Sequence, residues 1–177
     1  MNKTSSKKVC CPKCKKEIES KNLSTHLDSH PSEVFDWLYL GSSLNASDKV
    51  SLKSLNIKYI LNCASECKNL FENDNEFVYL KLETKDSNDF NIEDYFDKAY
   101  DFISMAKNNK EKGNLLVHCQ QGKSRSSAIL ISYLIKEEKY TTDEAYKFLK
   151  KKRRMIMPNL GFMFKLREYE KKILQKE

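Results

Sequence analysis

An α/β fold, with a central mostly parallel sheet flanked by helices and a small N-terminal module, is predicted by three observations. Strand-like runs alternate with helical patterns from residue 35 onward. One such run, Asn114–Cys119, turns through a short loop straight into the most apolar helical stretch of the chain, which places that loop at the carboxyl end of a central strand. Residues 10–31, finally, crowd Cys10, Cys11, Cys14, His26 and His30 into a stretch too short to build its own core.

At 177 residues, with 40% hydrophobic content, the chain holds one domain of ordinary size and a small appendage. No apolar run approaches the ~20 residues that a membrane span needs, and no charged-then-apolar leader opens the sequence. The expectation is a soluble, intracellular protein with no membrane span, cytoplasmic or nuclear. The six cysteines are unevenly placed, which reads as metal binding and a lone nucleophile rather than a disulfide framework. Cys63 and Cys67 read as small core fillers, either of which could serve as a redox partner for Cys119. The net charge of +7 attracts acidic partners in general without choosing among them.

Taken in order, residues 1–9 are polar and basic and read as a flexible tail. Cys11-Pro-Lys-Cys14 supplies two thiolates on a tight knuckle. His26 and His30, four apart, share one face of a helical turn. Together they make four tetrahedral ligands for a structural zinc, with Cys10 as the alternative to Cys11. Pro31-Ser-Glu marks the junction, so residues 10–31 form the finger and 32–177 the main domain. Phe35–Gly41 reads as a first strand, Ala46–Leu55 as a short helix starting near Ser47 or Asp48, Asn56–Asn62 as a second strand and Phe77–Leu82 as a third. A polar loop, Glu83 to Ile92, leads to a helix over Ile92–Lys107 that buries Phe96, Ala99, Ile103 and Ala106. Lys110–Asn114 turns into the strand before the loop, and Ser126–Lys136 is a central helix. Thr141-x-x-Glu144 is a capping box opening a helix with Ala145, Phe148 and Leu149 inward. The basic run Lys150–Arg154 reads as a solvated face, a phosphate-attracting rim or a nuclear address. A last helix is striped by Phe162, Leu166, Tyr169 and Ile173, with Asn159 as its cap.

The loop carries the chemistry. Closing onto a helix near Ser126, the segment Gln120, Gln121, Gly122, Lys123 and Ser124 aims unpaired backbone N–H groups at one point, where the helix dipole also favours negative charge. A phosphate fits there. The same field favours the thiolate of Cys119, so the sulfur is a candidate nucleophile, and Arg125 offers a planar fork for two phosphoryl oxygens. Expelling a hydroxyl leaving group needs a carboxylic acid, for which Glu83, Asp86 and Asp89 are the candidates.

His118-Cys119, five residues with Gly122 in third place, then Arg125-Ser126, resembles the signature of cysteine-dependent tyrosine phosphatases, in their dual-specificity branch. Trp37–Ser42, Tyr59–Ala64 and Met157-Pro-Asn-Leu-Gly-Phe162 extend the resemblance over roughly Val34 to Tyr169. The resemblance implies a protein phosphatase acting on phosphorylated protein substrates through a phosphocysteine. Asp86 would then be the acid and later the base, Ser126 the donor to the departing thiolate, and His118 and Asn159 braces of the loop; no metal is needed for that chemistry. Gln121 stands where relatives carry Ala, and Lys123 adds a charge. Phosphoinositide or RNA 5′-phosphate hydrolysis and a non-catalytic phosphate-binding adaptor remain the alternatives. The finger is similar to ubiquitin-binding fingers, in which Asp28 would face ubiquitin, although many of these end in Cys where this chain has His30. Another protein contact or a purely structural role stays open; a nucleic-acid finger is disfavoured, because few basic or amide side chains line its helix.

Overall fold

The computed structural model describes residues 7–175, apart from the side chains of Ser24 and Asp28. Strands β1 (Lys8–Cys10) and β2 (Glu17–Glu19) pair antiparallel, and a 3₁₀ turn leads from them into α1 (Leu23–Asp28). Lys8 and Val9, expected in a flexible tail, are thus part of a strand. Lys7 is held too, its carbonyl accepting from Ser20 N at 2.8 Å, and residues 1–6 of that expected tail lie outside the described residues.

The main sheet has five strands. Here β3 (Ser32–Phe35) and β4 (Leu38–Ser42) form a hairpin where one strand was expected. Asp36, a turn former in the middle of the run, reverses the chain, and the rings of Phe35 and Trp37 stack beside the turn at 6.1 Å. The single helix expected over Ala46–Leu55 is two: α2 (Ser43–Ser47) and α3 (Lys49–Ser54). Asp48 leaves helical geometry between them, and its carboxylate caps α3 by accepting from Ser51 N at 3.0 Å. Then come β5 (Ile57–Asn62), β6 (Val78–Lys81), α4 (Phe96–Asn108, preceded by a 3₁₀ turn), β7 (Asn114–Cys119), α5 (Arg125–Glu138), α6 (Thr142–Lys152) and α7 (Leu160–Leu174). The expected capping box of Thr141 and Glu144 opens α6.

The sheet order is β3-β4-β7-β5-β6, with β4, β7, β5 and β6 parallel and β3 antiparallel at the edge. This makes β7 the central strand, buried on both faces. Leu115, Val117 and Cys119 belong to the large core that also takes in Phe96, Ile103, Leu134 and Phe162, whereas Leu116 packs with Ala46, Leu52 and Ile60. The side chains therefore alternate between two cores with the period of two that a strand imposes. Every residue from Arg125 to Ile135 of α5 is buried, as its apolar sequence demands. A rigid strand and a fully enclosed helix hold the two ends of the loop between them.

The start of α7 is pressed against the loop that follows β6. Gly161 N donates to Asn88 Oδ1 at 3.3 Å, and a Cβ on Gly161 would run into the Asn88 carbonyl. Gly161→Ala is accordingly expected to cost about 1–3 kcal/mol of stability, read as a lowered denaturant midpoint.

Candidate active site

The loop between β7 and α5 is built from its carbonyls outward. Ser43 N and Oγ donate to Gln120 O at 3.2 and 3.1 Å, Arg153 Nε donates to Gly122 O at 3.0 Å, and Met157 N donates to Lys123 O at 2.8 Å. In a trans peptide the C=O and the next N–H point in opposite directions. Each outside donor that fixes a carbonyl therefore turns the following N–H, on Gln121, Lys123 and Ser124, toward the inside of the loop. Among the described residues, no backbone carbonyl accepts from the N–H groups of Gln121, Gly122, Lys123 or Ser124. Gly122 adopts φ +67 and lies against Gly41, whose carbonyl leaves no room for a Cβ.

Cys119 sits at the floor of this loop, 2% exposed, and its sulfur accepts from Ser126 Oγ at 3.2 Å. Arg125 is equally buried. Its Nη1 and Nη2 each donate to a Glu66 carboxylate oxygen at 2.6 Å, and Nη1 also reaches Thr84 O at 3.3 Å. The pair fixes the plane of the guanidinium and leaves Nε buried and without a hydrogen-bond partner, so it is a donor still to be used. The hydrogen bonds from Arg125 hold the Glu66 carboxyl down to about 2.

Of the three acids proposed for the leaving group, the structure brings Asp86 into the site. Its Oδ1 accepts from Ser124 Oγ at 2.7 Å and from Asn159 Nδ2 at 2.9 Å, and its Oδ2 lies 3.9 Å from Arg125 Nε. Asn159 combines both expected roles, since its Oδ1 also caps α7 by accepting from Phe162 N; its brace falls on the acid, and through its backbone N–H on Ser124 Oγ at 3.2 Å. Glu83 instead pairs with Lys81 at 3.2 Å. The cleft in front of the loop measures about 610 Å³ and is lined by Asp86, Cys119, Gln121, Lys123 and Arg125, with Met157 and Leu160 exposed at its mouth.

Three residues that matter here were not singled out from sequence: Glu66, Thr84 and Arg153. The first two come from the loops after β5 and β6, and nothing in their local spacing marks them. Arg153 lay within the basic run read as a solvated face or rim, and the structure corrects that reading: it is 2% exposed and bonded to the loop. Cys63 and Cys67 are core residues, and burial pushes both thiols up; Cys67 Sγ donates to Gln120 Oε1 at 2.9 Å.

In the N-terminal module, Cys11 Sγ, Cys14 Sγ and the Nε2 atoms of His26 and His30 lie within 4.8 Å of one another. The separations are 3.6 Å for Cys11–His30, 3.2 Å for Cys14–His26 and 3.2 Å between the two imidazoles. A tetrahedral zinc with ordinary bond lengths requires edges of about 3.3–3.6 Å between such donors. Burial and the charges of His26 and Lys13 lower His30, which keeps it in the neutral form that ligates. Cys10 is exposed, with Sγ turned to Lys15 O, and is not part of the group. This Cys/His group can hold a metal ion.

His118 is buried with Nδ1 unpartnered, and burial pushes its imidazole from 6.5 down to about 4. The unfolded chain therefore binds a proton that the folded chain refuses, so stability is lost as pH falls from about 6.5 to about 4. The denaturant midpoint is expected to drop between about pH 7 and about pH 5, and to drop less in His118→Asn.

The family model described as "Dual specificity phosphatase, catalytic domain" matches residues 38–172, which begin after the Cys/His group. Dual specificity protein phosphatase 1 of Arabidopsis thaliana is 42% identical over 144 residues, covering 81% of this chain and 71% of that protein. Dual specificity protein phosphatase 1-A of Xenopus laevis is 39% identical over the same length, and there the chain spans 38% of the relative. The crystal structure of DUSP15 superposes with a TM-score of 0.74 at 26% identity, covering 84% of this chain and 94% of that one. With a match of this extent over the strands, the loop and the closing helix, the chain belongs to the dual specificity phosphatase catalytic domain family.

Proposed function

We propose that the protein hydrolyses phosphotyrosine and phosphoserine or phosphothreonine in protein substrates through a phosphocysteine intermediate. The observation that carries this reading is the convergence of the Cys119 sulfur, the inward N–H groups, the Glu66-fixed Arg125 and the loop-docked Asp86 on one cleft. The Cys119 thiolate attacks phosphorus in line as the bond to the substrate oxygen breaks, and Asp86, as the acid, gives that oxygen its proton. Arg125 and the N–H groups of the loop Gln120 to Ser124 hold the equatorial oxygens throughout. In the second half, water attacks phosphorus, its proton passes to the Asp86 carboxylate, and the S–P bond breaks to return the thiolate. Ser126 Oγ, 3.2 Å from the sulfur, stabilises the departing thiolate. His118 and Asn159 support from behind.

Residues 10–31 then form a structural zinc finger held by Cys11, Cys14, His26 and His30, and residues 32–177 the catalytic domain. The ion's contribution there is cross-linking, since a segment of this size has too little core to fold unaided. Ubiquitin or another protein is the partner that the finger's resemblance suggests; the side chain of Asp28, on which that contact would rest, lies outside the described residues. No helix among the described residues is long and apolar enough to cross a membrane. A nucleophilic thiol that has to stay reduced suits the cytoplasm or nucleus.

Cys119→Ser is expected to abolish turnover of phosphopeptides, and unchanged turnover would refute the mechanism. Asp86→Ala should slow phosphopeptides by about 10²–10⁴-fold, and an aryl phosphate with a good leaving group far less. Glu66→Gln, which removes the charge that fixes Arg125, should lower kcat/KM about tenfold or more. A panel of phosphopeptide, inositol lipid and 5′-phosphorylated RNA separates this reading from its alternatives.

A further inference from the structure

The last turn of the N-terminal module reaches the phosphate-binding loop by two separate arms. The first runs through Arg153. Its Nη1 donates to the carbonyl of His30, one of the four grouped ligands, at 3.0 Å and to Ser32 Oγ at 3.3 Å, while its Nε donates to Gly122 O at 3.0 Å. The second runs through Asn45. Its Nδ2 donates to Ser29 O at 2.6 Å, and its Oδ1 accepts from Ser42 N at 2.9 Å; the next residue, Ser43, holds Gln120 O with both its N–H and its hydroxyl. Asn45 and Arg153 are both buried. Two consecutive residues of the module, Ser29 and His30, are thus linked to the two carbonyls whose outward pull turns the N–H groups of Gln121 and Lys123 inward.

We propose that metal loading of the Cys11–Cys14–His26–His30 group sets the aim of the phosphate-binding loop, with Arg153 and Asn45 as the positioning residues that transmit it. The inference rests on the zinc and phosphatase readings above. With the ion bound, His30 is fixed at its imidazole and its carbonyl is a fixed acceptor. Arg153 is then stretched between two immobile oxygens and cannot release Gly122. Without the ion, a segment that has almost no core of its own loses the constraint that places Ser29 and His30. Ser32 Oγ still holds Nη1 and Ser42 N still holds Asn45 Oδ1, but each arm loses its fixed acceptor in the module, and the grip on the carbonyls of Gly122 and Gln120 loosens. The module is thereby part of the catalytic apparatus of this chain, whatever else it binds.

The test compares the full chain reconstituted with zinc and the same chain stripped by a chelator under reducing conditions. Zinc stoichiometry is measured first. Orthovanadate affinity then reads the loop N–H groups directly, and alkylation of Cys119, followed on its own peptide by mass spectrometry, reads the thiolate. Stripping is expected to weaken vanadate binding about tenfold or more, the worth of one displaced charge-assisted hydrogen bond. It should also slow Cys119 alkylation and raise KM for a phosphopeptide more than it lowers kcat, while amide exchange in α5 stays protected. Arg153→Lys keeps one donor and should retain part of the zinc effect, whereas Arg153→Met combined with Asn45→Ala removes both arms and should bind vanadate equally with and without zinc. A chain that takes up no zinc overturns the metal reading and the coupling with it. One equivalent of zinc with the same vanadate affinity and alkylation rate as the stripped chain overturns the coupling alone. Loss of α5 protection on stripping overturns it too, because the ion would then support the whole fold and not the aim of one loop.

Discussion

Backbone amides repel one another when their N–H groups converge, and the phosphate-binding loop has to hold several of them in that arrangement before any anion arrives. Nothing inside the loop can do this, because the only groups that could bond those hydrogens belong to the substrate. The constraint is met from the other side of each peptide plane. Ser43, Arg153 and Met157 grip the carbonyls of Gln120, Gly122 and Lys123, and the N–H groups follow. These donors come from α2, from the residue after α6 and from the segment before α7, so much of the fold serves as an outer shell to three peptide groups.

The same logic of support from outside extends to the side chains. Arg125 could swing on its long stem, yet Glu66 takes both terminal nitrogens and Thr84 a third contact, leaving it one orientation. Asp86 lies in a polar loop with no regular structure, yet Ser124 and Asn159 both hold its Oδ1. Glu66 is half exposed, so water screens its pair with Arg125 on one side. Its value lies in direction more than in stability. A guanidinium that is already oriented loses little freedom when a phosphoryl group binds, and that saving appears in the transition state as well as the ground state.

What could be read from the sequence was whatever is local along the chain. The strand, loop and helix around Cys119 occupy consecutive residues, and a helix face or a capping box repeats within a few positions, so Ala99, Ile103, Ala106 and Glu144 were legible. The Cys/His spacing was legible for the same reason, and the group assembles around Cys11 and not Cys10. That the loop follows a central strand of a mostly parallel sheet was legible from strands alternating with helices, whereas the order β3-β4-β7-β5-β6 was not, because alternation does not say which strands pair. Glu66, Thr84 and Arg153 were not legible: each meets the loop across at least thirty positions of chain, and an acid in a loop or an arginine in a basic run looks the same whether it is solvated or buried. The Phe35–Gly41 run misled because its aromatic and aliphatic residues on both sides of Asp36 read as one strand, whereas the turn there ends β3 at Phe35 and β4 starts only at Leu38.

Gly161 brings helix and loop so close that their backbones touch, and this contact bears on how the enzyme meets its substrates. At Asn88 the segment that carries Asp86 meets the backbone of α7 with no room for a Cβ between them, and α7 is anchored by Phe162 and Leu166 in the core. On that side the wall of the cleft is set by backbone against backbone and not by side chains that can swing. Under the proposed function a phosphorylated residue would meet a wall on that side that is already in place, so selection by shape would fall at the encounter.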